Sequence, residues 1–221
     1  MTADRKVANR NVWILTIAQS LGGANSPIVI SLGGLVGQRL ATDPALITLP
    51  VSLLNLGLAL GTLPAALVMR RFGRRSGYLL GALIGLTAGL VTALGIARAS
   101  FLVFCTGTCL AGFYSSYVQS YRFAAADSET GAHSQRAIAR VMIGGLVAAV
   151  IGPELVIWTR DALPGTPFAG SFLSQAALAA LSIPVLLTLR RAPAPPGYTA
   201  DRAQDRPLAE ILATPRYLLA I

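Results

Sequence analysis

Charge is what this sequence has least of. Only 12% of its 221 residues are charged, where a soluble domain carries about 25%. Half the usual charge cannot cover a globule of this size, so a water-soluble fold is excluded. Disorder is excluded with it, since that needs low hydrophobicity, and 54% of these residues are hydrophobic. Histidine occurs once, at His133 in a polar loop beside Asp127 and Glu129, where it reads as solvated. With no Asp inside any apolar stretch, neither a metal set nor a nucleophile–base pair is available at membrane depth, which argues against an intramembrane enzyme. No cofactor and no metal are expected. No Gly-x-x-x-x-Gly-Lys loop occurs, so any driving force should be an ion gradient rather than a nucleotide. The two cysteines, Cys105 and Cys109, are four apart on one helix face, a poor geometry for a disulfide, and read as buried inert thiols.

What the sequence does have is long uncharged runs. Residues 11–38, 44–69, 76–97, 99–121 and 162–189 carry no charge, and 137–159 contain only Arg140 and Glu154. Each reaches the ~20 residues that an apolar helix needs to cross a ~30 Å hydrocarbon core. Barrel strands would alternate in polarity over ~10 residues, and nothing here alternates. The fold class is therefore an all-α membrane protein with six spans, at about 11–37, 46–69, 77–97, 100–122, 138–159 and 169–189. Residues 1–10 form an amino-terminal segment, and 191–215 a Pro-rich linker. At 216–221 a seventh apolar element begins, which suggests a fragment or truncated product, or else an interfacial terminal helix.

The formal net charge of +9 invites a nucleic-acid reading, but its distribution decides otherwise. Arg5, Lys6, Arg10, Arg70, Arg71, Arg74, Arg75, Arg122, Arg136, Arg140, Arg190, Arg191, Arg202, Arg206 and Arg216 fall on one side of the six spans. Arg39, Arg98 and Arg160 fall on the other. Basic residues of short loops stay in the cytoplasm. Both termini are expected inside, in a multi-pass protein of a bacterial inner membrane, with the bilayer and not nucleic acid as partner. The first span is too long for a signal peptide and is followed by others.

Gly77, Gly81, Gly85 and Gly89 make a small-residue stripe on the third span, read as helix packing. In the first span, Pro27 beside Asn25 and Ser26 should kink the helix and free backbone carbonyls. Polar residues at this depth face a cavity or a partner helix. The candidates for a substrate cavity are Gln19, Asn25, Ser26, Asn55, Thr108, Tyr114, Ser115 and Gln119. In the fourth span Thr108, Gly112, Ser115, Gln119 and Arg122 share a face, which either lines a water-filled cavity or bonds neighbouring helices. Glu154 is the one acidic residue inside a span and follows Gly152-Pro153, a second kink. It is the candidate coupling residue for protons; the alternative is an interfacial carboxylate near Arg160 and Asp161.

Residues 66–75, Ala-Leu-Val-Met-Arg-Arg-Phe-Gly-Arg-Arg, resemble the signature Gly-x-x-x-Asp-Arg-x-Gly-Arg-Arg between the second and third helices of the major facilitator superfamily. Arg71, Gly73, Arg74 and Arg75 match; the opening Gly is Ala66, and the Asp position is Arg70. In that family this carboxylate belongs to a charge relay that latches two halves together. Gly144/Gly145 and Gly152-Pro153 look like part of the Gly-Pro motif of its proton-coupled exporters, whose fourth-helix Arg is Thr108 here. The resemblance implies one six-helix half of a two-bundle transporter, with spans one, two, four and five lining the cavity and three and six peripheral. It implies a missing carboxy-terminal half of six helices and transport of a small organic solute by alternating access, coupled to an ion. A neutral or weakly charged aromatic solute suits the neutral polar residues. A non-transporting six-span scaffold or dimer subunit is the alternative.

Overall fold

A computed structural model describes residues 3–127 and 132–190, and among them finds helices and no strand. The linker expected at 191–215 and the seventh element at 216–221 lie outside the described residues. The first span is two helices end to end, α1 (Ala3–Gly22) and α2 (Asn25–Leu40). The second span is α3 (Leu49–Phe72), entered by a 3-10 turn at Pro44–Leu46. Then come α4 (Arg74–Ala97), α5 (Phe101–Gln119), the short α6 (Tyr121–Asp127), α7 (Ala132–Thr159) and α8 (Ala169–Leu187). Five stretches, 44–72, 74–97, 101–127, 133–159 and 169–187, are each long and apolar enough to cross a membrane. The α1–α2 pair supplies the remaining span.

Local chemistry explains the ends. Asp43 accepts from the Ala45 amide at 2.9 Å and starts the turn, and Pro50 sits in the first turn of α3, where no amide partner is needed. Ser100 caps α5 through the Val103 amide. Between α3 and α4, Gly73 has φ +85° and ψ 159°, a region open essentially to glycine alone. This is the turn inside the basic signature, and it lets two spans reverse direction over one residue.

The expected kink lies upstream of its cause. Helix α1 ends at Gly22 and α2 begins at Asn25, although the proline is Pro27. A proline acts on the carbonyl four residues earlier, here that of Gly23, which loses its donor and meets the ring. The ladder runs intact up to the Gly23 amide, bonded to the Gln19 carbonyl at 2.8 Å, and resumes at Ile28, bonded to Ala24 at 3.2 Å.

Helix α5 lies between α3 and α4; α4 also packs on α8, α1 on α7 and α8, and α2 on α7, α3 and α5. Glycines make these approaches close. Gly57 and Gly112 put α3 and α5 backbone to backbone. On α4, Gly81 seats Tyr117, Gly85 seats Tyr114, and Gly89 seats α8 at Phe172 and Ala176. The third-span stripe is thus a packing surface. Span five meets span one in the same way: Gly144 lies on Thr16, Ala148 on Gly23, and Gly152 on Pro27. The sites of the two expected kinks therefore touch, with α7 running as one helix through Gly152-Pro153.

The core has two apolar parts. One gathers Val12, Leu15, Tyr78, Tyr114, Tyr121 and Leu186; the other gathers Ile28, Leu32, Phe104, Ala111 and Phe172. Cover is uneven. In the most apolar window of α3 and of α7, 22% of residues are buried, against 44% for α4 and α8. The second and fifth spans therefore carry the broadest uncovered faces, among them Leu56, Leu60, Leu63 and Leu67 on α3 and Leu146, Val150 and Ile157 on α7.

Candidate functional site

Where the two core parts meet, each of three helices contributes polar side chains. On the first span, Asn25 lies between Ala18 and Ile28; on α5, Ser115 lies between Ala111 and Val118; on α8, Gln175 lies between Phe172 and Ala179. These residues bond one another. Asn25 Nδ2 donates to the Ala111 carbonyl at 2.9 Å and to Ser115 Oγ at 2.8 Å. Gln175 Nε2 donates to Asn25 Oδ1 at 2.6 Å. Ser26 Oγ and Ser115 Oγ are 3.1 Å apart. Asn25, Ser115 and Gln175 are buried, whereas Ser26 is half-buried and is the member that reaches the surface of the layer. Burying neutral amides is tolerable only when they are bonded in this way.

The other expected cavity residues are dispersed. Gln19 is half-buried at the contact with the fifth span, its side chain over Gly144 and Gly145. Thr108 is buried, and its hydroxyl donates to the Cys105 carbonyl of its own helix at 2.9 Å. Tyr114 is buried with its ring on Gly85 and its hydroxyl against Gly22. Both lie inside helix contacts rather than on an open face. Asn55 is exposed on α3 and donates to the Val51 carbonyl at 3.1 Å. Gln119 is exposed at a cleft of about 540 Å³ between α3, the start of α4 and α5–α6, rimmed by Arg70, Arg74 and Arg122.

Glu154 is exposed on α7, where Trp158 Nε1 donates to its Oε2 at 3.2 Å. Arg160 pairs with its neighbour Asp161 at 2.9 Å, just beyond the same end of the span. Pro153 is exposed beside Glu154, while Gly152 is buried against Pro27.

At the opposite, basic end, Arg74 forms an ion pair with Asp127 of α6. A carboxylate is thus present where the second loop meets the fourth span, although the signature's own Asp position is Arg70. Arg71 and Arg75 are exposed, and the Arg71 guanidinium lies 5.6 Å from the centre of the Phe72 ring. Arg10 donates to the Thr188 carbonyl at 2.6 Å, and Asn11 both donates to and accepts from the backbone of Arg190. These bonds tie the start of the first span to the end of the sixth.

Gln175 is the member of the polar layer that sequence reasoning missed. Its signal was available: an amide in the middle of an uncharged span, of the same kind that singled out Gln19 and Asn55. Among the described residues no group of three or more His, Cys, Asp or Glu could hold a metal ion.

Six apolar spans, an uncovered apolar exterior and a neutral polar layer at mid-bundle define a multi-pass α-helical membrane protein. The family model described as the Major Facilitator Superfamily matches residues 12–221, and the chain belongs to that family. It is a family of membrane transporters rather than enzymes. The chain is 62% identical over 218 residues to the riboflavin transporter RfnT of Brucella anthropi, covering 99% of this chain and 55% of that protein. It is 28% identical over 209 residues to the uncharacterized MFS-type transporter YdeG of Bacillus subtilis, covering 92% of this chain and 48% of that one. The chain spans about half the length of the curated relatives it matches.

Proposed function

We propose that this chain is the amino-terminal bundle of a secondary transporter that moves a small organic solute by alternating access, and that the solute is riboflavin. The observation that carries the reading is the 62% identity to a riboflavin transporter across 99% of this chain. The polar residues within the spans support it in kind. Riboflavin is an uncharged aromatic molecule rich in hydrogen-bonding groups, and the candidate cavity residues Gln19, Ser26, Asn55 and Gln119 are neutral donors and acceptors. A second six-helix bundle covers the exposed faces of α3 and α7 in this reading, and the solute path runs between the bundles. Both termini lie in the cytoplasm of a bacterium and the spans in its inner membrane, because the basic residues collect at one end. The transport cycle is coupled to protons, with Glu154 the candidate carrier, and Arg71, Gly73, Arg74 and Arg75 form the conformational loop between the second and third spans.

The test is riboflavin counterflow in proteoliposomes holding the product of the whole reading frame. Counterflow depends on neither direction nor coupling. Labelled riboflavin should accumulate transiently in vesicles preloaded with unlabelled riboflavin, while vesicles without protein stay flat. Correctly inserted protein that shows no exchange overturns the substrate.

A further inference from the structure

Gln175 is 2% exposed and belongs to the sixth span, yet it bonds to the first residue after the break in the first span. The orientation of both amides follows from one fixed acceptor. A peptide carbonyl can only accept, so Asn25 must turn its Nδ2 toward Ala111. Its Oδ1 then faces Gln175, which must answer with Nε2. Gln175 Oε1 is left buried with no partner among the described residues. An amide held with one acceptor unanswered is held for its other end, and that end grips Asn25.

We propose that Gln175 is a positioning residue that acts through Asn25 on Ser26. Asn25 begins α2, directly after the turn forced by Pro27, where the helix has lost the Gly23 carbonyl bond. A break of this kind interrupts the backbone ladder between the two segments, so bonds at its edge help fix how the second segment is set against its neighbours. Asn25 makes three such bonds, two to α5 and one to α8, in addition to the apolar packing of α2. Of the four polar residues in the layer only Ser26 is not buried, so it alone can meet a solute. Gln175 thereby sets how well the first span presents Ser26, and so the affinity for solute rather than the speed of the cycle. The solute named here rests on the proposed riboflavin transport; the positioning itself does not.

Two measurements on the whole reading frame test this. In riboflavin counterflow, Gln175→Leu should raise KM about tenfold with the maximal rate within about twofold, the pattern of lost binding. Gln175→Asn, shorter by one methylene, should behave likewise, and the reciprocal pair Asn25→Gln/Gln175→Asn should bring KM most of the way back. In the second arm Ser26→Cys is made with Cys105→Ser and Cys109→Ser, and its labelling by a small maleimide is timed with and without Gln175→Asn. A changed labelling rate is expected. An unchanged rate overturns the positioning role even where riboflavin is exchanged, and so does an unchanged KM in both Gln175 variants. A wild-type protein that exchanges no riboflavin overturns the substrate alone, and the labelling arm still decides the role of Gln175.

Discussion

The closest test of the packing is Gly112→Ala, at the crossing of α3 and α5. A β-carbon there would overlap the Leu54 carbonyl oxygen, and would stand 2.8 Å from the Leu58 nitrogen and 2.9 Å from the Gly57 α-carbon. Backbone carbon–oxygen contacts between helices settle at ~3.3–3.6 Å, so the helices must part by on the order of 1 Å. Parting by that much forfeits between about a quarter and a half of the dispersion energy of each facing pair. Overpacking of this kind costs ~1–3 kcal/mol. Gly57→Ala meets the same crossing from the other side, 3.2 Å from the Gly112 α-carbon. Once one substitution has opened the crossing, the other has room. The double variant should therefore lose much less than the two single losses added together. Gly34→Ala is the control: nothing lies within 4 Å of the added carbon, so helix propensity alone should make it neutral or stabilising by up to ~1 kcal/mol. The assay is reversible unfolding in mixed micelles with rising SDS. The reasoning is refuted if Gly112→Ala and Gly34→Ala unfold alike, or if the two crossing glycines are additive.

Three further outcomes are expected. Gly73→Ala should destabilise the same protein by ~1–3 kcal/mol through its φ of +85° alone, since open space surrounds the added carbon, and SDS unfolding measures it. Asp127→Ala should cost less than ~1 kcal/mol, because the side chains of the Arg74–Asp127 pair are 42% and 64% exposed. Any transport lost in Asp127→Ala should return in the charge swap Arg74→Asp/Asp127→Arg, read by counterflow. Glu154→Gln should keep counterflow but abolish accumulation driven by an imposed pH gradient; accumulation at the wild-type level removes Glu154 from coupling.

The spans were legible because the bilayer imposes a length on uncharged helix, and few other constraints produce runs such as 44–69. The turn at Gly73 was legible for a similar reason, since a signature carries its glycine where the backbone needs one. Partners across the bundle were not legible. Helical spacing showed that Thr108, Ser115 and Gln119 share a face of the fourth span, but spacing cannot say what covers that face along its length. Other helices cover it at Thr108, the first span bonds to it at Ser115, and only at Gln119 does it open onto a cleft. One stripe therefore divides into packing, bonding and exposed parts.

The break in the first span shows how the rest became hidden. Reading Pro27 as a kink located the cause, but a proline disturbs the carbonyl one turn earlier, so the helix gives way at Gly23–Ala24 and Asn25 becomes the start of a new segment. That shift decides what Asn25 is for. Left inside a continuous helix, it is one polar residue among several facing a cavity. At the start of α2 it is the residue best placed to hold the second segment, and two neighbouring helices bond to it. The same break brings Pro27 against Gly152, a position too crowded for a β-carbon, so the fifth span packs tightly beside the break in the first. Polar side chains and broken backbone thus gather at one level of the bundle, between two apolar cores. Regular helix offers few free backbone groups and an apolar core offers none, so the break is what gives this level a carbonyl without a helical donor, that of Gly23.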